Sequence, residues 1–272
     1  MSETTPAAPR VPEAVGVYGG GRMGAGIAHA FATAGARVIV IESTDDTVVA
    51  ARGRIDASIE KSQSKGIDVP GTVEVVRDPT LLDQALLVVE AVPEDLGLKQ
   101  EILAGIAKYA PAASIGTNTS ALSIDELAAG LPRPQALIGL HFFNPVPVSE
   151  LVEVVVGTHT EPGLVEVAKG WVAGLGKTAI TVKDSPGFAS SRLGVALALE
   201  AMRMVEEGVA EPADIDRAMT LGYRHPVGPL QTTDIVGLDV RLGIAEHLEA
   251  ELGPRFAPPQ ILRDKVETGE IG

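Results

Sequence analysis

The side chains best able to do chemistry stand near the middle of the chain. His141 opens the run His141-Phe142-Phe143-Asn144-Pro145-Val146-Pro147, and Glu153 is the only acidic residue within Leu151–Val156. Loss of hydride from a secondary alcohol requires a base for the hydroxyl proton, and neutral imidazole suits that task near pH 7. A carboxylate on the far ring nitrogen would set the tautomer and stabilise the cation that forms. His141 and Glu153 are therefore read as base and orienting partner across one loop. Composition and spacing alone leave open a blander pair, a capping histidine and an edge-strand carboxylate. His29 reads as helix surface or as packing beside a cofactor, and His159, His225 and His247 have no comparable context.

A second group is suited to holding a nucleotide. Gly19-Gly20-Gly21-Arg22-Met23-Gly24 matches G-x-G-x-x-G between the apolar run Ala14–Tyr18 and a helical pattern over 23–34. In this fingerprint the first glycine makes the tight turn, the second lets a pyrophosphate approach the backbone, and the third allows helix and sheet to pack closely. Glu42 stands at the end of the following β-branched run, where a carboxylate accepts hydrogen bonds from the adenosine ribose hydroxyls and repels the phosphate of NADP. The reading is NAD, although a glycine-rich turn without a nucleotide and an FAD site share the pattern.

These residues need a scaffold. Strand, glycine turn, helix and strand form the opening βαβ unit of a parallel sheet. Further strands are expected at 73–76, 86–89, Ser114–Thr117 and 136–140, and ligands collect beyond the C-terminal ends of such strands. Glu90 to Glu94, Asn118-Thr119-Ser120 and His141 to Pro147 each follow one of them. After Asp184-Ser185-Pro186-Gly187 the texture turns helical, over 188–207, 212–220, 234–252 and 259–268. The expected architecture is α/β: a Rossmann-type doubly wound sheet over 13–184, then an all-helical domain over 185–272. Residues 1–12 read as a loose tail without the apolar core of a signal peptide.

Bulk composition bounds the rest. The net charge of −14 disfavours nucleic acid and anionic lipid as partners, but a pocket lined by backbone N–H groups still takes a small anion. With no cysteine, a disulfide, a thiolate metal site and a thiol nucleophile are excluded, and no metal site is assigned. No apolar run is long enough to span a membrane, and a soluble, cytoplasmic setting is expected.

Together these motifs closely resemble the L-3-hydroxyacyl-CoA dehydrogenase family, particularly its short bacterial 3-hydroxybutyryl-CoA dehydrogenases. The resemblance covers about residues 15–269. It rests on Gly19–Gly24, Val89-Glu90-Ala91-Val92-Pro93-Glu94, Asn118-Thr119-Ser120, His141 to Pro147, Asp184 to Phe188 with Arg192, and His225-Pro226-Val227-Gly228-Pro229-Leu230 leading to Asp239. It implies His141 as catalytic base, Glu153 as its partner, and Ser120 at the substrate hydroxyl and carbonyl. It implies cofactor contacts at the glycine turn with Arg22 and Met23, at Glu42, Glu94 and Lys99, and at Asn118 on the nicotinamide side. It also implies an acyl-CoA substrate and a homodimer through the helical domains. A non-CoA hydroxyacid or a carrier-protein-bound acyl group is the nearest alternative substrate.

Two departures stand out. Where the family reads Asp-Thr-Pro-Gly-Phe, two residues and Asn-Arg, this chain reads Asp184-Ser185-Pro186-Gly187-Phe188-Ala189-Ser190-Ser191-Arg192. Ser191 thus takes the position of the active-site asparagine, with a shorter reach and one donor instead of two. Either efficiency on standard substrates falls, or a differently shaped substrate is intended, or the change is tolerated with a water replacing the missing reach. Relatives also continue into a Lys-Thr-Gly-x-Gly-Phe-Tyr segment, where this sequence reads Glu270-Ile271-Gly272.

Overall fold

The computed structural model describes residues 10–270 and Gly272, in two compact units that meet in sequence between Asp184 and Ser185. Residues 1–9 of the expected tail lie outside the described residues. Of its remainder, Val11 packs against the core and Pro12 is buried, so packing begins before residue 13.

The first unit is built on strands β1 (Ala14–Tyr18), β2 (Arg37–Ile41), β3 (Thr72–Val76), β4 (Leu87–Glu90), β5 (Ser114–Thr117), β6 (Leu137–Phe142), β7 (Leu151–Val156) and β8 (Thr178–Lys183). They form one sheet in the order β3-β2-β1-β4-β5-β6-β7-β8. Helices α1 (Arg22–Thr33), α2 (Asp45–Ser64), α3 (Leu96–Tyr109), α4 (Ile124–Ala128) and α5 (Pro162–Gly174) lie in the connections. Crossovers of this kind cover both sheet faces, which is why the strands are nearly continuous Val, Ile and Leu. Val38, Val40, Leu87, Val88 and Val89 are wholly buried, each such side chain contributing about 1.5–3 kcal/mol.

β1 to β6 pair in parallel, whereas β7 runs antiparallel to β6, and β8 is parallel to β7. Segment 143–150 between β6 and β7 is too short for a crossover helix, so the chain must turn straight back. Three strands differ from expectation: the run expected over 73–76 begins at Thr72, that over 86–89 lies at Leu87–Glu90 and so includes Glu90, and β6 differs most. The run expected over 136–140 lies at Leu137–Phe142, which puts His141 inside the strand rather than after it. A polar residue does not end a strand when the pairing continues, and β6 pairs with β7 as far as Phe142.

In the second unit α6 (Ser190–Glu206), α7 (Pro212–Arg217), α8 (Pro229–Val236), α9 (Leu238–Leu252) and α10 (Gln260–Glu267) pack around Val195, Leu199, Ala245, Leu248 and Leu262. The helix expected over 234–252 is two helices, divided at Gly237, whose φ of 107° is outside the helical region. Likewise α6 starts after Phe188, because Gly187 and Phe188 have positive φ. Among the described residues no helix is long and apolar enough to cross a membrane.

Candidate active site

The sheet order reverses between β1 and β4, and the crevice at their carboxyl ends is where such sheets take a ligand. Gly19 leaves β1 with φ 93° and turns the chain toward α1. A Cβ on Gly24 would lie 1.7 Å from the Gly19 carbonyl oxygen, so helix and turn can meet only there as glycine. A Cβ on Gly21 would meet nothing within 4 Å and would stand in open space beside the turn. Gly21 is also the N-cap of α1 and provides no side-chain acceptor, which leaves first-turn N–H groups for an anion. Glu42 follows β2, and its Oε1 accepts from the Gly20 N–H at 2.5 Å. This combination fits a dinucleotide pyrophosphate at the turn and a ribose at the carboxylate.

The loops after β4 and β5 are joined by carboxylates. Glu94 Oε1 accepts from the Thr119 hydroxyl at 2.6 Å, the Ser120 N–H at 2.7 Å and the Ala121 N–H at 3.1 Å. Asn118 Oδ1 accepts from the Phe142 N–H at 2.9 Å, tying the end of β5 to the end of β6. Ser120 is half-buried.

His141 and Glu153 face each other across β6 and β7, with Nδ1 2.7 Å from Glu153 Oε2. Glu153 is 0% exposed and His141 5%. A carboxylate can only accept, so Nδ1 is the donor in this contact, and in a neutral ring Nε2 is then the acceptor nitrogen. The Phe143 ring, with its centroid 4.5 Å away, braces the imidazole. The loop beyond it is pinned from behind: Lys177 Nζ donates to the Val146 and Ser149 carbonyls at 2.7 and 2.5 Å. It also presses on α1, where a Cβ on Gly26 would lie 2.9 Å from Val146 Cβ.

That loop forms one wall of a groove of about 500 Å³, whose other walls are α1 and α2. Arg22, Arg54, Lys61, Lys65 and Lys177 line it, and no described carboxylate does. In a chain of net charge −14 this is a strong local reversal of sign.

Residues 14–185 match the family model described as 3-hydroxyacyl-CoA dehydrogenase, NAD binding domain, and residues 187–272 match its C-terminal domain. The chain belongs to the 3-hydroxyacyl-CoA dehydrogenase family. It is 39% identical over 269 residues to a 3-hydroxybutyryl-CoA dehydrogenase of Mycobacterium tuberculosis, with 95% of this chain and 94% of that protein covered. It is 36% identical over 275 residues to the human mitochondrial hydroxyacyl-coenzyme A dehydrogenase, covering 95% and 87%. The solved structure of (S)-3-hydroxybutyryl-CoA dehydrogenase from Ralstonia eutropha superposes with a TM-score of 0.90 at 35% identity, covering 96% and 95% of the two chains. As a 3-hydroxyacyl-CoA dehydrogenase the chain is an NAD-dependent enzyme, and its glycine turn and Glu42 fit that cofactor.

Within this family frame the structure brings Gly19, Gly21, Gly24 and Glu42 to one turn, with Arg22 exposed at the start of α1 and Met23 packed on the core. Asn118, Ser120 and Glu94 meet in one loop cluster, and His141 pairs with Glu153. Ser191 is half-buried in the first turn of α6, in the second unit. Lys99 is buried against carboxylates rather than open to the crevice. Sequence reasoning passed over Glu90 and Thr117, which share a hydrogen bond of 2.6 Å within the sheet. The available signal was the one used for Glu153, a lone carboxylate in an apolar strand.

Proposed function

We propose that the enzyme interconverts a short (S)-3-hydroxyacyl-CoA, such as 3-hydroxybutyryl-CoA, and the 3-oxoacyl-CoA. NAD, held by its pyrophosphate at the glycine turn, would supply the hydride acceptor through its nicotinamide on the Asn118 side. His141 Nε2 takes the hydroxyl proton as the C3 hydride departs and the C–O bond becomes a carbonyl. Glu153 holds Nδ1–H and offsets the positive charge that the ring acquires. The observation that carries this reading is the in-register His141–Glu153 pair, buried at the crevice end of β6. Ser120 is assigned to the substrate oxygen, Asn118 to the nicotinamide side, and Glu94 and Arg22 to the cofactor edge.

The basic groove supports CoA as the carrier. Its arginines and lysines match phosphates chemically, Arg through paired donors and Lys as point charges. The deciding experiment compares acetoacetyl-CoA, acetoacetyl-pantetheine, a carrier-protein thioester and free acetoacetate, with NADH oxidation followed by absorbance. Turnover is expected for the thioesters, with the lowest KM for the CoA form. Turnover of free acetoacetate alone would overturn the proposal.

Ser191 favours a second reading, a related dehydrogenase acting on a differently shaped, non-CoA hydroxyacid. The same substrate panel separates the two, and Ser191→Asn is expected to raise kcat/KM on acetoacetyl-CoA only under the first. We also propose a homodimer through the helical unit, on the exposure of Leu193, Leu197, Ile235, Val236 and Val240. Light scattering should give twice the chain mass; a monomer at micromolar concentration would sink that part.

A further inference from the structure

In the helical unit an arginine stands where the core pattern calls for an apolar side chain. Arg241 shares a face of α9 with Leu238, Ala245 and Leu248, which belong to one apolar cluster with Val195, Ala198 and Leu199 of α6. It is 5% exposed. Its Nε is buried with no hydrogen-bond partner, and among the described residues no carboxylate pairs with it. Burial lowers its pKa from the usual arginine range, and no neighbouring charge raises it back. A cation held in this way is costly, because nothing in the fold offsets its desolvation.

Its far end reaches a particular place. Nη1 lies 3.5 Å from the point at which a Cβ on Gly194 would stand, so the guanidinium meets α6 at a residue without a side chain. Gly194 follows Ser191 by three residues, and residues at that spacing share a helix face. Ser191 takes the position of the family's active-site asparagine and supplies one donor where the amide would supply two. The unpaired cation and the missing donor thus belong to the same face of α6.

We propose that Arg241 receives a carboxylate of the substrate. A planar guanidinium matches a carboxylate through paired donors, and substrate binding then provides the acceptor that the fold withholds. The carboxylate has two possible sources with the same chemistry. It is the far end of a dicarboxylic 3-hydroxyacyl thioester, or it replaces the thioester in a free 3-hydroxyacid. An uncharged acyl chain leaves the cation unpaired. This assignment rests on Ser191 lying at the substrate, and it adds a charged acyl class to the dehydrogenase reading.

The test follows NAD reduction by the whole enzyme. Its substrates are 3-hydroxyglutaryl-CoA, 3-hydroxyadipyl-CoA and 3-hydroxypimelyl-CoA, each against the uncharged 3-hydroxyacyl-CoA of the same length, with 3-hydroxybutyryl-CoA and free 3-hydroxybutyrate alongside. In the unaltered enzyme kcat/KM for one carboxylate-bearing substrate is expected to exceed that for the uncharged thioesters by about tenfold or more, and the arm that does so names the source. Arg241→Met should cut that ratio by about tenfold or more, and Arg241→Lys, which keeps the charge but not the fork, by less. Tm of Arg241→Met without substrate should hold or rise, since an unpaired buried charge has been removed.

A preference for uncharged chains in the unaltered enzyme would overturn the proposal, whether or not a variant folds. So would an equal loss on charged and uncharged substrates in Arg241→Met, which would mark a donor to the carbonyl or a structural role, and so would a fall in its Tm, which would show that the fold itself pairs the guanidinium. Turnover of uncharged thioesters alone removes this proposal and leaves the dehydrogenase reading standing; turnover of the free hydroxyacid alone does the reverse.

Discussion

His141 and Glu153 stand directly opposite each other in the antiparallel pairing of β6 with β7, and this register sets their 2.7 Å contact. Opposite residues of an antiparallel pair project from the same face, so the contact follows from the backbone pairing rather than from long, flexible side chains. A one-residue slip would turn Glu153 to the other face.

Replacing His141 with Ala should therefore lower kcat by at least about 10²-fold, while NADH binding stays within about twofold. Glu153→Gln keeps the size but can present a donor to Nδ1, which places the ring proton on Nε2. A similar loss is expected there. Stopped-flow turnover with a fluorescence titration of NADH checks both; full activity in either variant would remove the assignment.

Two glycines of the turn should fail in different ways. Gly24→Ala drives a Cβ into the Gly19 carbonyl and is expected to lower Tm and abolish NAD binding together. Gly21→Ala meets no protein atom, so Tm should hold while the NAD dissociation constant rises by about tenfold or more, because the methyl stands where the pyrophosphate must approach. Calorimetry with and without NAD distinguishes the two. Equal loss of Tm in both variants would contradict the open space at residue 21.

Glu42 should govern the choice between cofactors. Glu42→Ser removes the charge that repels a 2′-phosphate and the acceptor beside Gly20. The ratio of kcat/KM for NADPH to that for NADH is expected to rise by about tenfold or more, mostly through loss with NADH. An unchanged ratio would detach this carboxylate from the ribose.

His29 should make stability depend on pH. Its ring is 3% exposed, with Nε2 2.9 Å from Ser62 Oγ and a buried Nδ1 that has no partner among the described residues. Burial holds its pKa below the ordinary 6.5. The unfolded chain therefore takes up a proton first. Above pH 6.5 both states are neutral and the contribution is complete; it is lost as pH falls from there toward the depressed folded value. His29→Gln should flatten the decline of Tm between about pH 7 and about pH 5, and parallel curves for the two proteins would refute this.

The parts legible from sequence share a local cause. The glycine turn, its flanking strand and helix, and Glu42 lie within one βαβ unit, where turn geometry and apolar periodicity act over neighbouring residues. His141 and Glu153 were legible because each stood alone against an apolar run. The pairing of Glu90 with Lys99 was not legible: one was placed at a strand end and the other at the cofactor, and only the tertiary packing of α3 on the sheet buries them together. The break at Gly237 escaped for a related reason: a single glycine in a helical pattern is tolerated in some helices and ends others, according to packing that lies outside the window. The strand end at His141 was missed because pairing with β7, a non-local partner, carries β6 two residues further.

At Gly26 only a hydrogen atom separates the dinucleotide helix from the loop that leaves His141. Cofactor preference and acyl recognition are thus not independent modules that can be exchanged one at a time. A graft of a foreign residues 22–33 segment that lacks glycine at position 26 would push Val146 outward and disturb the loop that leaves His141, so successful chimeras must carry the 144–148 segment from the same parent.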